Sequence, residues 1–163
     1  MPLGPVILNN TPLVCLWLLG QFDLLRQLYA EVVVPEAVWA EFLAVESTPR
    51  QQALQQAPWL ARTQLDNPQS ALVFAGLDRG ESEVLALAIE CQARLVVIDE
   101  RRARSYAQRL QLPVTGTLGL LLAAKQKDLI PAVAPLIEAL QAAGLYFHPS
   151  LVAAVLELAA EHA

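Results

Sequence analysis

"RGESEVLALAIECQARLVVIDERRARSYAQRL", residues 79–110, reads as helix, strand and helix in one pass. Apolar residues first recur at helical spacing through Val84, Leu85 and Ala88. They then close up into Leu95–Ile98, a run dominated by side chains branched at Cβ, as a buried strand requires. A second helical stripe follows through Ala103, Ala107 and Leu110. Strands alternating with helices imply crossover connections and a parallel sheet covered on both faces.

The same alternation extends in both directions. "VILNNTPL", residues 6–13, gives a strand at Val6–Leu8 and a helix start, with Thr11 as N-cap and Pro12 at the first helical position. That helix runs from Pro12 to Leu19, is stopped by Gly20, and precedes a short helix around Phe22–Leu28. A strand at Val32–Val34 leads into a helix opened by Pro35. Pro49–Ala57 suits a short helix, and "WLARTQL", residues 59–65, alternates well enough for an edge strand. Beyond residue 110, "LPVTGTLGLLLAAKQ" gives a brief strand, placed at an edge by Pro113, and then a helix. From Pro131 the tail reads as two helices separated by Gly144–Pro149. The 163 residues are expected to form one domain without internal repeats.

Composition narrows the function classes. The chain is 55% apolar with mean hydropathy +0.41, and 17% of its residues are charged. Such a chain buries its sheet on both faces or covers apolar surface in an oligomer. No apolar run reaches the roughly 18 residues that cross a bilayer. The absence of Lys or Arg before Arg26 is unlike a secretory leader. Cys15 and Cys91 have neither metal-like nor redox spacing, so a cytoplasmic location is expected. Two histidines, His148 and His162, argue against a histidine-built zinc site and a Ser–His hydrolase. The net charge of −5 weighs against a broad phosphate-binding surface, but it is compatible with an acidic, metal-dependent centre.

The candidate chemistry lies where strands end and helices begin, the usual ligand edge of an open α/β sheet. Asp99 follows "RLVVI" and stands at that edge, where it also suits the N-cap of the helix over Arg101–Leu110. At about 100° per residue, Glu81 shares the inner arc with Val84, Leu85 and Ala88, whereas Glu83 and Glu90 fall on the arc expected to face solvent. A capping box with Asp78 is the competing account of Glu81. Glu41 flanks the apolar arc of Val38, Trp39 and Phe42, a position equally suited to a solvated residue. Thr115 and Thr117 bracket Gly116, one as an N-cap and the other with its hydroxyl toward the same cleft. Arg101, Arg102 and Arg104 crowd a helix N-terminus, where the helix dipole disfavours cations; a phosphate ligand would explain them, and so would solvation beside Glu100. Asn9 and Asn10, two neutral amides, stand where an aspartate would make a metal site.

These stretches together resemble the PIN-domain superfamily. The resemblance rests on "VILNNTPLVCLWLLGQFDLL", "VVVPEAVWAEF", "LDRGESEVLALAIECQARLVVIDERRAR" and "LPVTGTLGLLLAAK". It is nearest to the bacterial group of predicted nucleic-acid-binding proteins containing a PIN domain, which are similar to VapC toxins. It covers about residues 5–127 as a core, with C-terminal helices at 131–161. It implies an α/β fold, a PIN-like three-layer α/β/α sandwich with a central, mostly parallel sheet. It further implies a Mg²⁺- or Mn²⁺-dependent ribonuclease or an RNA-binding protein, with Glu41, Glu81 and Asp99 as metal ligands. Thr115 or Thr117 falls where a further Asp, Ser or Thr acts in the family. Arg101, Arg102 and Arg104 would hold flanking phosphates.

By the same resemblance Asn9 occupies the place of the first aspartate. Asparagine keeps a carbonyl oxygen but loses the charge that Mg²⁺ prefers, and with it the best group for orienting an attacking water. Two readings therefore stand. One is a metal-dependent endoribonuclease, the toxin-like member of a pair with a small antitoxin-like protein. The other is a nucleic-acid-binding or regulatory protein that has lost a metal ligand. A homodimer through Trp17, Leu18 and the helices around Leu151–Leu158 is expected for either.

Overall fold

A computed structural model describes residues 4–161; His162 lies outside the described residues. Five parallel strands form one sheet in the order β3-β2-β1-β4-β5. They are β1 (Val6–Leu8), β2 (Val32–Pro35), β3 (Leu60–Thr63), β4 (Leu95–Val97) and β5 (Val114–Thr115). Nine α-helices among the described residues surround it: α1 (Asn10–Leu18), α2 (Leu24–Tyr29), α3 (Glu36–Leu43), α4 (Ser47–Gln55), α5 (Arg79–Cys91), α6 (Arg101–Arg109), α7 (Thr117–Gln126), α8 (Ala134–Ala142) and α9 (Pro149–Leu158). A 3-10 turn over Pro68–Val73 precedes α5. The expected three-layer α/β architecture is what forms, with every strand pair parallel.

β1 is the centre of the sheet. Val6 pairs with Val32 on one side and Leu95 on the other, and Val6, Ile7 and Leu8 are wholly buried. Covered on both faces, such a strand has no polar side to present, hence its unbroken apolar run. The edge strands are β3 and β5, as the alternation of "WLARTQL" and the position of Pro113 predict. Helix α5 packs along β1, β2 and β4. Its Val84, Leu87 and Ala88 join the main core, while Leu85 and Ala86 form a second cluster with Phe74 and Ala107.

Burial of α5 on several sides corrects two expectations. Glu83 does not face solvent: its Oε1 accepts from Ala37 N–H at 3.0 Å, at the start of α3. Glu90 accepts from Asp66 and Asn67 N–H at 2.9 and 3.1 Å, which anchors the chain entering the 3-10 turn. The outer arc is thus covered by neighbouring helix and loop ends whose N–H groups need acceptors. α1 likewise starts at Asn10 rather than Pro12, with Asn9 at its N-cap position. Proline fits anywhere in a first turn, whose N–H groups have no partner within the helix.

Arg50 of α4 is a further structural member. It is buried between the rings of Trp17 and Phe42, 4.9 and 5.0 Å from their centroids, and donates to Phe42 O at 2.9 Å. The tail helices complete the same core through Ile137, Leu140, Phe147, Val155 and Ala159.

Glu161 fastens this tail. Its carboxylate accepts from Val133 and Ala134 N–H at 2.7 and 2.9 Å, ahead of and at the start of α8, and from Lys125 Nζ at 2.8 Å; Lys125 also donates to Ala159 O. Burial alone would raise its pKa, but the hydrogen bonds from Lys125, Val133 and Ala134 outweigh burial and hold it at about 2. A carboxyl depressed below its unfolded value of 4.5 stabilises the fold fully above that pH, and the contribution disappears as pH falls towards 2. Glu161→Gln should therefore cost about 2 kcal/mol at neutral pH, the scale of hydrogen bonds to a charged acceptor. In urea unfolding across a pH series, the gap between natural chain and variant should close between 4.5 and about 2.

Candidate nucleic-acid and metal site

Asn9 follows β1, the strand at which the sheet order reverses, and its N–H bonds to Val97 O at 3.0 Å. It stands at the carboxyl edge over the switch between β1 and β4. The residue is only 6% exposed, and its Oδ1 has no hydrogen-bond partner. Asn10, the first residue of α1, donates from Nδ2 to Glu41 Oε2 at 3.2 Å, while its own Oδ1 is buried without a donor. Gly80 completes this notch. A Cβ there would stand 2.9 Å from Glu41 Oε1, crowding it, and 3.6 Å from Asn9 Oδ1, in ordinary contact.

Asp78 and Glu81 adjoin the notch through a capping box. Glu81 N–H donates to Asp78 Oδ1 at 2.8 Å, and Asp78 N–H donates back to Glu81 Oε2 at 3.2 Å. The capping account of Glu81 is therefore real, yet the group is electrostatically loaded. Burial raises its pKa most; the Asp78 N–H opposes this, and the charges of Asp78 and Glu100 add, leaving it at about 7. Burial also raises Glu41, with a contribution from Asp78 and an opposing one from the Asn10 amide. Among the described residues, Glu41, Asp78 and Glu81 form no ion pair.

Asp99 belongs to a second group. Its Oδ1 accepts from Thr117 N–H at 2.8 Å and its Oδ2 from the Thr117 hydroxyl at 2.6 Å. It therefore caps α7 and not α6. Glu100 takes the α6 cap, accepting from Ala103 N–H at 2.7 Å, because its longer side chain turns back over its own helix while Asp99 extends across to the end of β5. The N-cap position of α7 is Gly116, so neither threonine fills it. A Cβ on Gly116 would lie 2.6 Å from Asp99 Oδ1 and 3.0 Å from Arg104 Nη1. Thr117 is wholly buried, and the Thr115 hydroxyl lies where a Cβ on Gly119 would go. Cys15 is also buried here; desolvation and the Asp99 charge push its thiol up to about 12 against a hydrogen bond with Thr117, leaving it unreactive.

The arginines of α6 divide into two kinds. Arg104 donates to Ile98 O at 3.2 Å and Arg102 to Gly76 O at 3.3 Å. Gly76 has φ +82°, and a Cβ there would collide with the Arg102 guanidinium. With the Tyr106 hydroxyl on Ala75 O at 3.0 Å, Arg102 fastens the loop that delivers Asp78. Arg101 is exposed and makes no hydrogen bond among the described residues.

Glu41, Glu81, Asp99 and Asn9 thus all lie along one edge, with Glu41 bonded to Asn10, Glu81 to Asp78 and Asp99 to Thr117 as separate pairs. No three carboxylates, thiols or imidazoles close into a metal-sized cluster among the described residues. Sequence reasoning took Asp78 only as a cap, placed Asn10 and Gly116 at the edge without a contact for either, and overlooked Gly80. The available signal was Gly80 within the first turn of a helix, where alanine has the better propensity; glycine at an N-cap, as Gly116 is, is ordinary. Gly116→Ala should force the new methyl against Asp99 and cost about 1–3 kcal/mol, the range for overpacking, measured by thermal unfolding.

No helix among the described residues is long and apolar enough to cross a membrane. No curated protein and no solved structure matches the chain. A family model described as a PIN domain matches residues 5–161, nearly the whole sequence, and the five-stranded parallel sheet flanked by helices is consistent with it. The chain belongs to the PIN-domain family.

Proposed function

We propose that this chain binds single-stranded RNA across the carboxyl edge of its sheet, with metal-dependent cleavage weakened by Asn9. Membership of the PIN family indicates nuclease or nucleic-acid-binding function. What favours binding over turnover is Asn9, which by resemblance takes the place of the first acid, together with Asp78, Glu81 and Asp99 committed to helix ends. Mg²⁺ and Mn²⁺ suit the hard oxygens in kind, but the arrangement is not a preassembled centre. A cation would have to draw Glu41, Asp78 and Glu81 together.

The endoribonuclease reading is favoured by a different observation. The oxygens of Asn9 and Asn10 lack donors beside three unpaired acids, an excess of acceptors that a cation would satisfy. In this reading Glu41, Glu81 and Asp99 hold the ion, Thr115 and Thr117 support it, and Arg101 leads the phosphate contacts. We also propose a single domain, a cytoplasmic location, a toxin-like role with a small antitoxin-like partner, and a homodimer. Leu18, Leu151 and Leu158, exposed by 43%, 46% and 68%, support apolar association.

The natural chain should bind RNA with little or no cleavage. Asn9→Asp should bind Mn²⁺ about tenfold more tightly in calorimetric titration, since it adds an anionic oxygen to the set. Equal affinities would place Asn9 outside the reach of any cation. Sedimentation at micromolar concentration should give a species about twice the 17.7 kDa chain mass, and a lone monomer would end the dimer proposal.

A further inference from the structure

A cleft of about 270 Å³ opens at the same carboxyl edge, between the ends of β2 and β3 and the start of α5. It is lined by Glu36, Gln64, Leu65, Pro68, Arg79 and Glu83, and Arg79 directly follows Asp78. Larger cavities of about 530 and 460 Å³ lie against the tail helices and at the opposite edge of the sheet. We propose that this cleft is a nucleobase subsite that takes a guanine-type base of single-stranded RNA, with the adjoining phosphate on Arg79. The proposal rests on the RNA-binding reading and extends it.

The lining groups have distinct tasks. Glu83 is a strut, its two oxygens engaged by Ala37 N–H at 3.0 Å and by Arg79 Nε at 3.2 Å. Arg79 is held by that one nitrogen, and its side chain is 84% exposed. Its terminal amines form no hydrogen bond among the described residues, which leaves them available to a phosphate. Leu65 and Pro68 supply apolar surface against which a base face can pack. Glu36 is the group that reads the base. Arg62 holds it with Nε at 3.4 Å from Oε1, and the Arg62 guanidinium is itself stacked 5.2 Å from the Trp39 ring centroid.

A carboxylate accepts only, so it selects a base edge with adjacent donors. Guanine offers two, N1–H and the N2 amine, to the two carboxylate oxygens. Uracil offers a single N–H flanked by carbonyl oxygens, which a carboxylate repels. The amide of Gln64 can donate to the guanine O6.

The test is anisotropy titration of the full chain with three labelled single-stranded RNAs: an oligouridine, the same oligomer with one guanosine, and the same with one inosine, which lacks the N2 amine. The guanosine oligomer should bind about tenfold more tightly than the other two. Glu36→Gln should erase that preference, so that the three oligomers bind within about twofold of one another. Arg79→Ala should weaken all three and reduce the salt slope by about one. Both changes lie at the surface, and unchanged thermal midpoints confirm folding. RNA binding without guanosine preference, or a preference that survives in Glu36→Gln, overturns the subsite alone. Absence of binding to every oligomer overturns the subsite and the RNA reading together.

Discussion

A parallel sheet gathers the N-termini of its helices along one edge, and each brings N–H groups that no residue of its own helix can satisfy. Carboxylates in this chain meet that demand. Asp78 and Glu81 serve α5, Glu83 serves α3, Glu100 serves α6 and Asp99 serves α7. The acids look like the makings of a metal centre in sequence and act first as helix caps in the fold. What sets this edge apart is the remainder: Glu41 makes its only hydrogen bond among the described residues to a neutral amide, and two amide oxygens have no donor.

The edge therefore has two regions with different chemistry. Around Gly80, acceptors are in excess and no cation balances them. Around Gly116, Asp99 is satisfied by Thr117 and Arg104 stands beside it. Metal-dependent cleavage through Glu41, Glu81 and Asp99, the set the family resemblance implies, would need acids of both regions to act together. Binding of a strand, as proposed above, would draw instead on cationic side chains near the acids, such as the exposed Arg79.

Much of this was legible in the sequence. Short apolar runs alternating with helical stripes specify the parallel sheet, and Pro113 marks its edge, because both patterns follow from local backbone and burial requirements. The Asp78–Glu81 box could be read for the same reason, since its residues are three apart. Contacts between distant elements could not. Nothing local shows that Glu83 reaches α3 or Glu90 the 3-10 turn, and the arc that carries them reads as solvent-facing because a helical wheel cannot show what lies outside it. Arg102 and Arg104 read as phosphate ligands or solvated charges by their position at a helix start, yet Arg102 bonds to the distant Gly76 carbonyl and Arg104 to that of Ile98. The burial of Arg50 between two aromatic rings left no trace in the pattern.

The amide at the end of β1 also bears on how the chain folds. A carboxylate there would be buried beside Glu41 with no cation at hand, and an unpaired buried charge costs several kcal/mol. A chain with that charge would reach its full stability only with an ion bound, so its folded fraction would track the free divalent concentration through mass action. Asn9 removes that linkage. With an amide there, the central strand's closure against β2 and β4 should not depend on ion supply, and the folded fraction should stay constant as free divalent metal falls.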